Sequence, residues 1–235
     1  MIEITSSTEL PSNRAALTLI TADNLKLVAE LATPVSTSPV ATLLTLHPLP
    51  THGGFMDSHI LRKAANRLPA LAEIAVLRFN TRGTASPHGV SEGSFGDGIE
   101  EEKDLTAALE YLQGIATGPI WLLGWSFGTE LAIKYGYNKD IAGAILLSPP
   151  LRRAGENDLE RWIGSGKKLI ALVPEHDEFL APEAARKRFS VLPEAEMIYV
   201  DDAKHLWVGE TATKRVLNEI VRAVNPSKYP LPESY

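Results

Sequence analysis

Short apolar runs alternate with amphipathic stretches along the whole chain, and this alternation sets the expected elements. Residues 14–20 and 25–32 read as two strands around the turn sequence Thr21-Ala22-Asp23-Asn24. Residues 40–46, 74–79, 120–123, 144–147, 168–173 and 197–200 are apolar throughout or nearly so and too short for helices, as in strands covered on both faces. Amphipathic helices are expected from a cap at Asp57 or Ser58 to about 68, and over 99–112, 128–137, 182–189 and about 210–224. Residues 34–39, 47–55 and 80–98 are loops rich in Pro, Gly or small polar residues, and 151–166 is irregular or a short helix. The Pro-containing tail, 225–235, is expected to be frayed or docked on the surface. Strands alternating with helices imply βαβ units and a mostly parallel sheet, which places binding sites at the carboxyl ends of its strands.

Composition narrows the class. A chain of 235 residues supports one sizeable core, here a single domain over 1–224 followed by the tail. Its net charge of −6 and dispersed basic residues argue against nucleic acid or an anionic membrane as partner, and Arg186-Lys187-Arg188 reads as a solvated helix end. The absence of cysteine removes disulfides, thiolate nucleophiles and Cys-based metal sites. The N-terminal residues show neither the basic patch nor the apolar stretch of a signal peptide, and no apolar run approaches the roughly 20 residues that span a bilayer. A soluble, cytoplasmic protein is the expectation; oligomeric state is not legible.

The chemistry concentrates at strand ends. Gly124-Trp125-Ser126-Phe127-Gly128 matches G-x-S-x-G between an expected strand and an expected helix. A strand-to-helix turn this tight lifts the serine hydroxyl clear of the sheet, and the helix N-terminus beyond it favours negative charge. That makes Ser126 the candidate nucleophile. Its general base should come last in the chain, after an acid. His205, after the final strand and before the final helix, fills that place; His176 is the other histidine beyond Ser126. The acid is expected at Asp177 in Glu175-His176-Asp177-Glu178, where the loop after strand 168–173 turns over the sheet edge; Glu175 and Glu178 are its rivals. Asp177 would hold the imidazole tautomer without taking the proton.

These residues resemble the α/β-hydrolase superfamily, and in particular small bacterial serine hydrolases related to dienelactone hydrolases that carry an H-P-x-P-x-x-G-G loop. The matching pieces are His47-Pro48-Leu49-Pro50-Thr51-His52-Gly53-Gly54, Leu77-Arg78-Phe79-Asn80-Thr81-Arg82-Gly83, the serine pentapeptide, Glu175-His176-Asp177-Glu178-Phe179 and Ala203-Lys204-His205, within residues 14 to 224. The resemblance implies an α/β-hydrolase fold with an eight-stranded, mostly parallel sheet flanked by helices, and Ser126, Asp177 and His205 as a catalytic triad. It implies an oxyanion hole from the backbone N–H groups of Phe127 and of a residue in the loop after strand 40–46. Within Pro48-Leu49-Pro50 only Leu49 has an N–H to give. It implies hydrolysis of a carboxylic ester or related acyl bond of a small molecule, with no cofactor and no metal; a peptidase, a thioesterase or a non-catalytic binding protein are the alternatives. Pro174 stands where the family usually has glycine, Ala203-Lys204 replaces a glycine shortly before the histidine, and Thr84 follows Gly83 where a second glycine is usual. Dienelactone hydrolases proper use a thiol, which this chain lacks.

Several smaller signals are weaker. Trp125, Trp207 and Trp162 are candidates for the substrate pocket, with core packing as the competing role. His47 could line the oxyanion loop or brace it through backbone hydrogen bonds. Arg78, Asn80 and Arg82 could bind a carboxylate substrate or pin the 80–98 loop. The lid-bearing position of the superfamily falls at 151–166, which is too short for a large cap domain.

Overall fold

The computed structural model describes residues 3–235. Its strands are β1 (Asn13–Ile20), β2 (Lys26–Thr33), β3 (Ala41–Leu46), β4 (Ile74–Phe79), β5 (Ala85–Ser86), β6 (Gly89–Val90), β7 (Ile120–Trp125), β8 (Gly143–Leu147), β9 (Lys168–His176) and β10 (Glu196–Lys204). Eight of them form one sheet in the order β1-β2-β4-β3-β7-β8-β9-β10, with β5 and β6 as a separate small hairpin. The pairs β1–β2 and β2–β4 are antiparallel; all others in the large sheet are parallel.

The helices are α1 (His59–Ala72), α2 (Glu101–Gln113), α3 (Phe127–Gly136), α4 (Glu156–Glu160), α5 (Pro182–Phe189) and α6 (Glu210–Val224). They cover both faces of the sheet. Alternate strand residues point to opposite faces, so Leu43, Leu123 and Leu147 join α1 and α6 in one core. Leu44, Leu122 and Leu146 join α2, α3 and α5 in the other. This double burial explains why the central strands read as nearly continuous apolar runs.

Four boundaries depart from the pattern. Helix α1 continues past Leu68 through Pro69 to Ala72, because Leu68, Pro69, Leu71 and Ala72 are all buried. Pro69 gives up one backbone bond, and burial of that apolar turn outweighs the loss. Ser58 occupies the N-cap without a side-chain cap bond. Its Oγ accepts from Phe55 N–H (3.2 Å), while Asp57 pairs with Arg78 and, at 2.9 Å, with His88. Strands β7, β9 and β10 run further than expected, to Trp125, His176 and Lys204. The pairing of β10 with β9 shifts between Val200 and Lys204, where Asp202 adopts a left-handed φ of 55°. That irregularity carries polar residues along the end of an otherwise apolar strand.

The 80–98 loop is pinned by Arg82, whose guanidinium is held by buried Asp104 (2.7 and 2.9 Å) and by Asp23. The tail is docked: Leu231 is buried, its N–H donates to Asn218 Oδ1 (2.7 Å), and Asn225 Nδ2 donates to Ala72 O (2.9 Å). Between β8 and β9 there is only the five-residue α4 and its flanking turns, so no large cap covers the sheet. Among the described residues no helix is long and apolar enough to cross a membrane.

Candidate active site

Ser126 sits between the last residue of β7 and the first of α3, with φ 51° and ψ −114°. Its N–H donates to Leu147 O on the neighbouring strand (2.9 Å), and its carbonyl accepts from Thr129 N–H (2.9 Å). Such a backbone conformation costs about 1–3 kcal/mol and persists only when the surroundings impose it. The flanking glycines are what permit it. A Cβ on Gly128 would lie 2.0 Å from Leu46 O, and one on Gly124 would lie 2.5 Å from Gly128 O.

His205 follows β10 directly. Its Nε2 lies 2.9 Å from Ser126 Oγ, and its Nδ1 lies 3.0 and 3.1 Å from the two oxygens of Asp177. Asp177 Oδ1 also accepts from Phe179 N–H (2.8 Å) and Leu180 N–H (3.2 Å). Burial pushes this carboxyl up, but the hydrogen bond and charge of His205 and the two backbone donors together hold it below the usual carboxylate range. An ionised Asp177 only accepts, so Nδ1 carries a proton toward Asp177, and it is the Nε2 lone pair of that tautomer that faces Ser126. The rivals stand elsewhere: Glu175 is exposed and accepts from Asp202 N–H (2.8 Å), and Glu178 is exposed.

The sequence did not mark what holds His205 in place. Its carbonyl accepts from Trp125 Nε1–H (3.1 Å) and from the Ser148 hydroxyl (3.2 Å), and Ser148 Oγ in turn accepts from Trp207 Nε1–H (2.9 Å). His59, at the start of α1, donates from Nε2 to Leu206 O (2.7 Å) and meets the Trp125 ring edge-on. Burial keeps His59 below the usual histidine value, despite the bond to Leu206. Ser148 and His59 lie far from His205 in the chain, and no motif flagged them. A signal for Ser148 was its place at a strand's carboxyl end, the same rule that selected Ser126.

The His47–Gly54 loop forms the opposite wall. Buried His47 donates from Nδ1 to Pro48 O (2.7 Å), which leaves Nε2 to accept from Thr81 N–H (3.1 Å). Burial lowers its pKa to about 4, against the pull of the Pro48 carbonyl. A trans peptide points its C=O and N–H in opposite directions. Holding Pro48 O toward His47 therefore turns Leu49 N–H the other way. Leu49 O accepts from His52 and Gly54 N–H (3.0 Å each), which closes the turn. The Phe127 N–H, first in α3, has no acceptor within its own helix.

Ser126, His205, Leu49, Phe127 and Trp125 line one cleft of about 280 Å³. Trp207 and Trp162 do not line it, contrary to the sequence expectation. Trp207 is fully buried behind Ser148. Trp162 packs under Gly136 and donates to Ile133 O (2.9 Å), because the turn after α4 folds onto the core, whereas Arg152 and Arg153 at the start of the 151–166 segment do reach the cleft. Arg78 and Asn80 are likewise structural: Arg78 pairs with Glu30 and Asp57, and Asn80 accepts from Met56 N–H (2.9 Å). Glu175, His176 and Asp202 bring potential ligand atoms within 4.8 Å of one another, but all three are exposed, and Glu175 is already bonded to Asp202 N–H.

Comparison with known proteins agrees with this architecture. An α/β serine hydrolase without lid from Xanthomonas campestris superposes with a TM-score of 0.76 at 24% identity, covering 96% of this chain and all of that one. An α/β serine hydrolase homologue from Coxiella burnetii gives 0.73 at 22%, over 92% of this chain and all of that one. The Pyrococcus furiosus esterase Pf2001 gives 0.71 at 21%, over 91% and 93%. An uncharacterized protein of Rickettsia prowazekii is 33% identical over 127 residues, 52% of this chain and 51% of that protein, so the chain matches about half of that curated relative's length. The model of the alpha/beta hydrolase family matches residues 43–217, from the middle of β3 into α6. Fold, strand order and family match coincide, and the chain belongs to the alpha/beta hydrolase family.

Proposed function

We propose that the chain hydrolyses a carboxylic ester, or a related acyl bond, of a small molecule through an acyl-Ser126 intermediate. The observation that carries this reading is the continuous line from Ser126 Oγ to His205 Nε2 (2.9 Å) and from Nδ1 to Asp177 (3.0 Å), opening into the cleft. Ser126 Oγ attacks the acyl carbonyl as Nε2 takes its proton. The tetrahedral oxyanion forms against the N–H groups of Leu49 and Phe127, with the α3 N-terminus adding positive potential. Collapse expels the alcohol, which leaves with the proton from Nε2. Water then repeats the sequence on the acyl-serine and releases the acid. Asp177 stays ionised throughout and stabilises the imidazolium. Every proton and electron pair in these steps is carried by substrate, Ser126, His205 or water.

His47 acts here as a positioning residue, through the Pro48–Leu49 peptide. Removing one oxyanion donor typically lowers kcat about 10²–10³-fold. The test is labelling with a fluorophosphonate probe and mass spectrometry of the modified peptide. Modification at Ser126 that is lost in His205→Ala is the expected result. No modification, where a control hydrolase reacts, would refute the reading.

A further inference from the structure

Arg152 lines the same cleft as Ser126 and His205. Of the charged residues on that lining, Arg153 is committed to Asp97, which accepts from its Nε (2.8 Å) and Nη2 (2.5 Å). Glu178 is exposed, and among the described residues neither it nor any other carboxylate lies within ion-pair distance of Arg152. The Arg152 guanidinium stacks on the Phe179 ring, 4.9 Å from its centroid. That ring lies 4.3 Å from the His205 imidazole, centroid to centroid. The guanidinium is thus at most about 9 Å from the imidazole, the two distances laid end to end.

The position is rigid in its backbone. Buried Glu130, in the first turn of α3, accepts the N–H groups of Arg152 (2.8 Å), Arg153 (2.5 Å) and Ala154 (2.5 Å). Arg188 clasps the same turn from outside, donating to Leu151 O (3.0 Å) and Ala154 O (3.4 Å). Leu151 holds a left-handed φ of 49°. A free guanidinium on a fixed turn, in a chain of net charge −6, is no by-product of a basic surface.

We infer that Arg152 selects substrates whose acyl chain ends in a carboxylate, so that the reaction is hydrolysis of a monoester of a short dicarboxylic acid. This rests on the serine-hydrolase reading above. The planar fork of arginine matches a carboxylate with two parallel hydrogen bonds. Phe179 holds the fork in place and shields the acyl chain between the two ends of the substrate. The spacing from His205 suits succinyl and glutaryl chains, whose far carboxylate sits a few bonds beyond the scissile carbonyl. Ser126 Oγ attacks the ester carbonyl and its proton leaves with the alcohol; water then cleaves acyl-Ser126, one of its protons returning to Ser126 Oγ and the other passing to solvent, and a dicarboxylate results.

The test compares kcat/KM for monoethyl glutarate and ethyl valerate, which differ in a terminal carboxylate against a methyl group. The wild-type protein is expected to favour the glutarate by about tenfold or more, less so at high salt. In Arg152→Gln the ratio should fall toward unity, and Arg152→Lys should restore part of it. Thermal melting checks that the variants are folded. As a reading independent of turnover, monoethyl glutarate should slow fluorophosphonate labelling of Ser126 more than ethyl valerate does. Labelling at Ser126 with equal protection by, and equal turnover of, the two esters would overturn the inference and leave the serine-hydrolase reading standing. So would a preference that survives Arg152→Gln. A protein that neither labels nor cleaves either ester would overturn both.

Discussion

Acid should weaken this fold through His47 in a defined window. In the folded protein His47 is buried, donates to Pro48 O and has its pKa lowered to about 4, whereas the unfolded chain titrates near about 6.5. Between those values the unfolded state binds the extra proton, so stability falls as pH drops. The contribution is intact above the unfolded pKa and is lost through the folded one. A shift of this size corresponds to about 3 kcal/mol across the window. His47→Asn is the informative control. Its amide nitrogen can take the place of Nδ1 and donate to Pro48 O, but the side chain does not titrate. Urea unfolding of both proteins at several pH values from neutral to pH 4 gives the difference directly, and other titrating groups cancel between them. We expect the stability of the wild type to fall faster with acid than that of His47→Asn, by a total of about 3 kcal/mol. Parallel pH dependences would refute the account of His47 as a neutral, buried brace. The same variant should keep more activity than His47→Ala, since it alone retains a donor for the peptide that aims Leu49 N–H.

Gly128→Ala places a Cβ 2.0 Å from Leu46 O and should prevent the elbow from closing; loss of soluble protein, or destabilisation by about 3 kcal/mol or more in urea unfolding, is expected. Ser148→Ala removes a donor to the His205 carbonyl and leaves the buried Trp207 N–H unpaired. It should lower stability by about 1–3 kcal/mol and reduce kcat more than it changes KM, a split that steady-state kinetics would reveal. Trp162→Phe should lower the melting temperature while kcat/KM stays within about twofold, because Trp162 bonds Ile133 O away from the cleft; a large change in kcat/KM would return Trp162 to the pocket.

The sheet was legible because its central strands are covered on both faces, and six mostly apolar residues between loops are too few for a helix. Ser126, Asp177 and His205 could be singled out because each lies at the carboxyl end of a parallel strand, in chain order. What the sequence concealed is of two kinds. The extension of α1 through Pro69 depends on tertiary burial, against a local rule that stops helices at proline. Two of the three tryptophans mislead for a related reason. Proximity to the histidine suggested a pocket wall for Trp207, and a place in the lid-bearing segment suggested one for Trp162, but the indole N–H of Trp207 meets Ser148 and that of Trp162 meets Ile133, and both rings are buried behind those bonds. The bracing of His205 by Ser148 and His59 joins residues that only the folded sheet brings together.

The grip of Glu130 on residues 152–154 is made entirely through main-chain N–H groups. It does not depend on what side chain stands at position 152, proline excepted, since proline alone lacks the donor. The mouth of the cleft is therefore a socket whose shape and whose chemical lettering are separately encoded. A single codon change there can rewrite which acyl chain is welcomed without disturbing the turn that presents it or the helix that begins at Phe127. Lineages sharing this turn can be expected to differ most at that one residue and least at the glutamate beneath it.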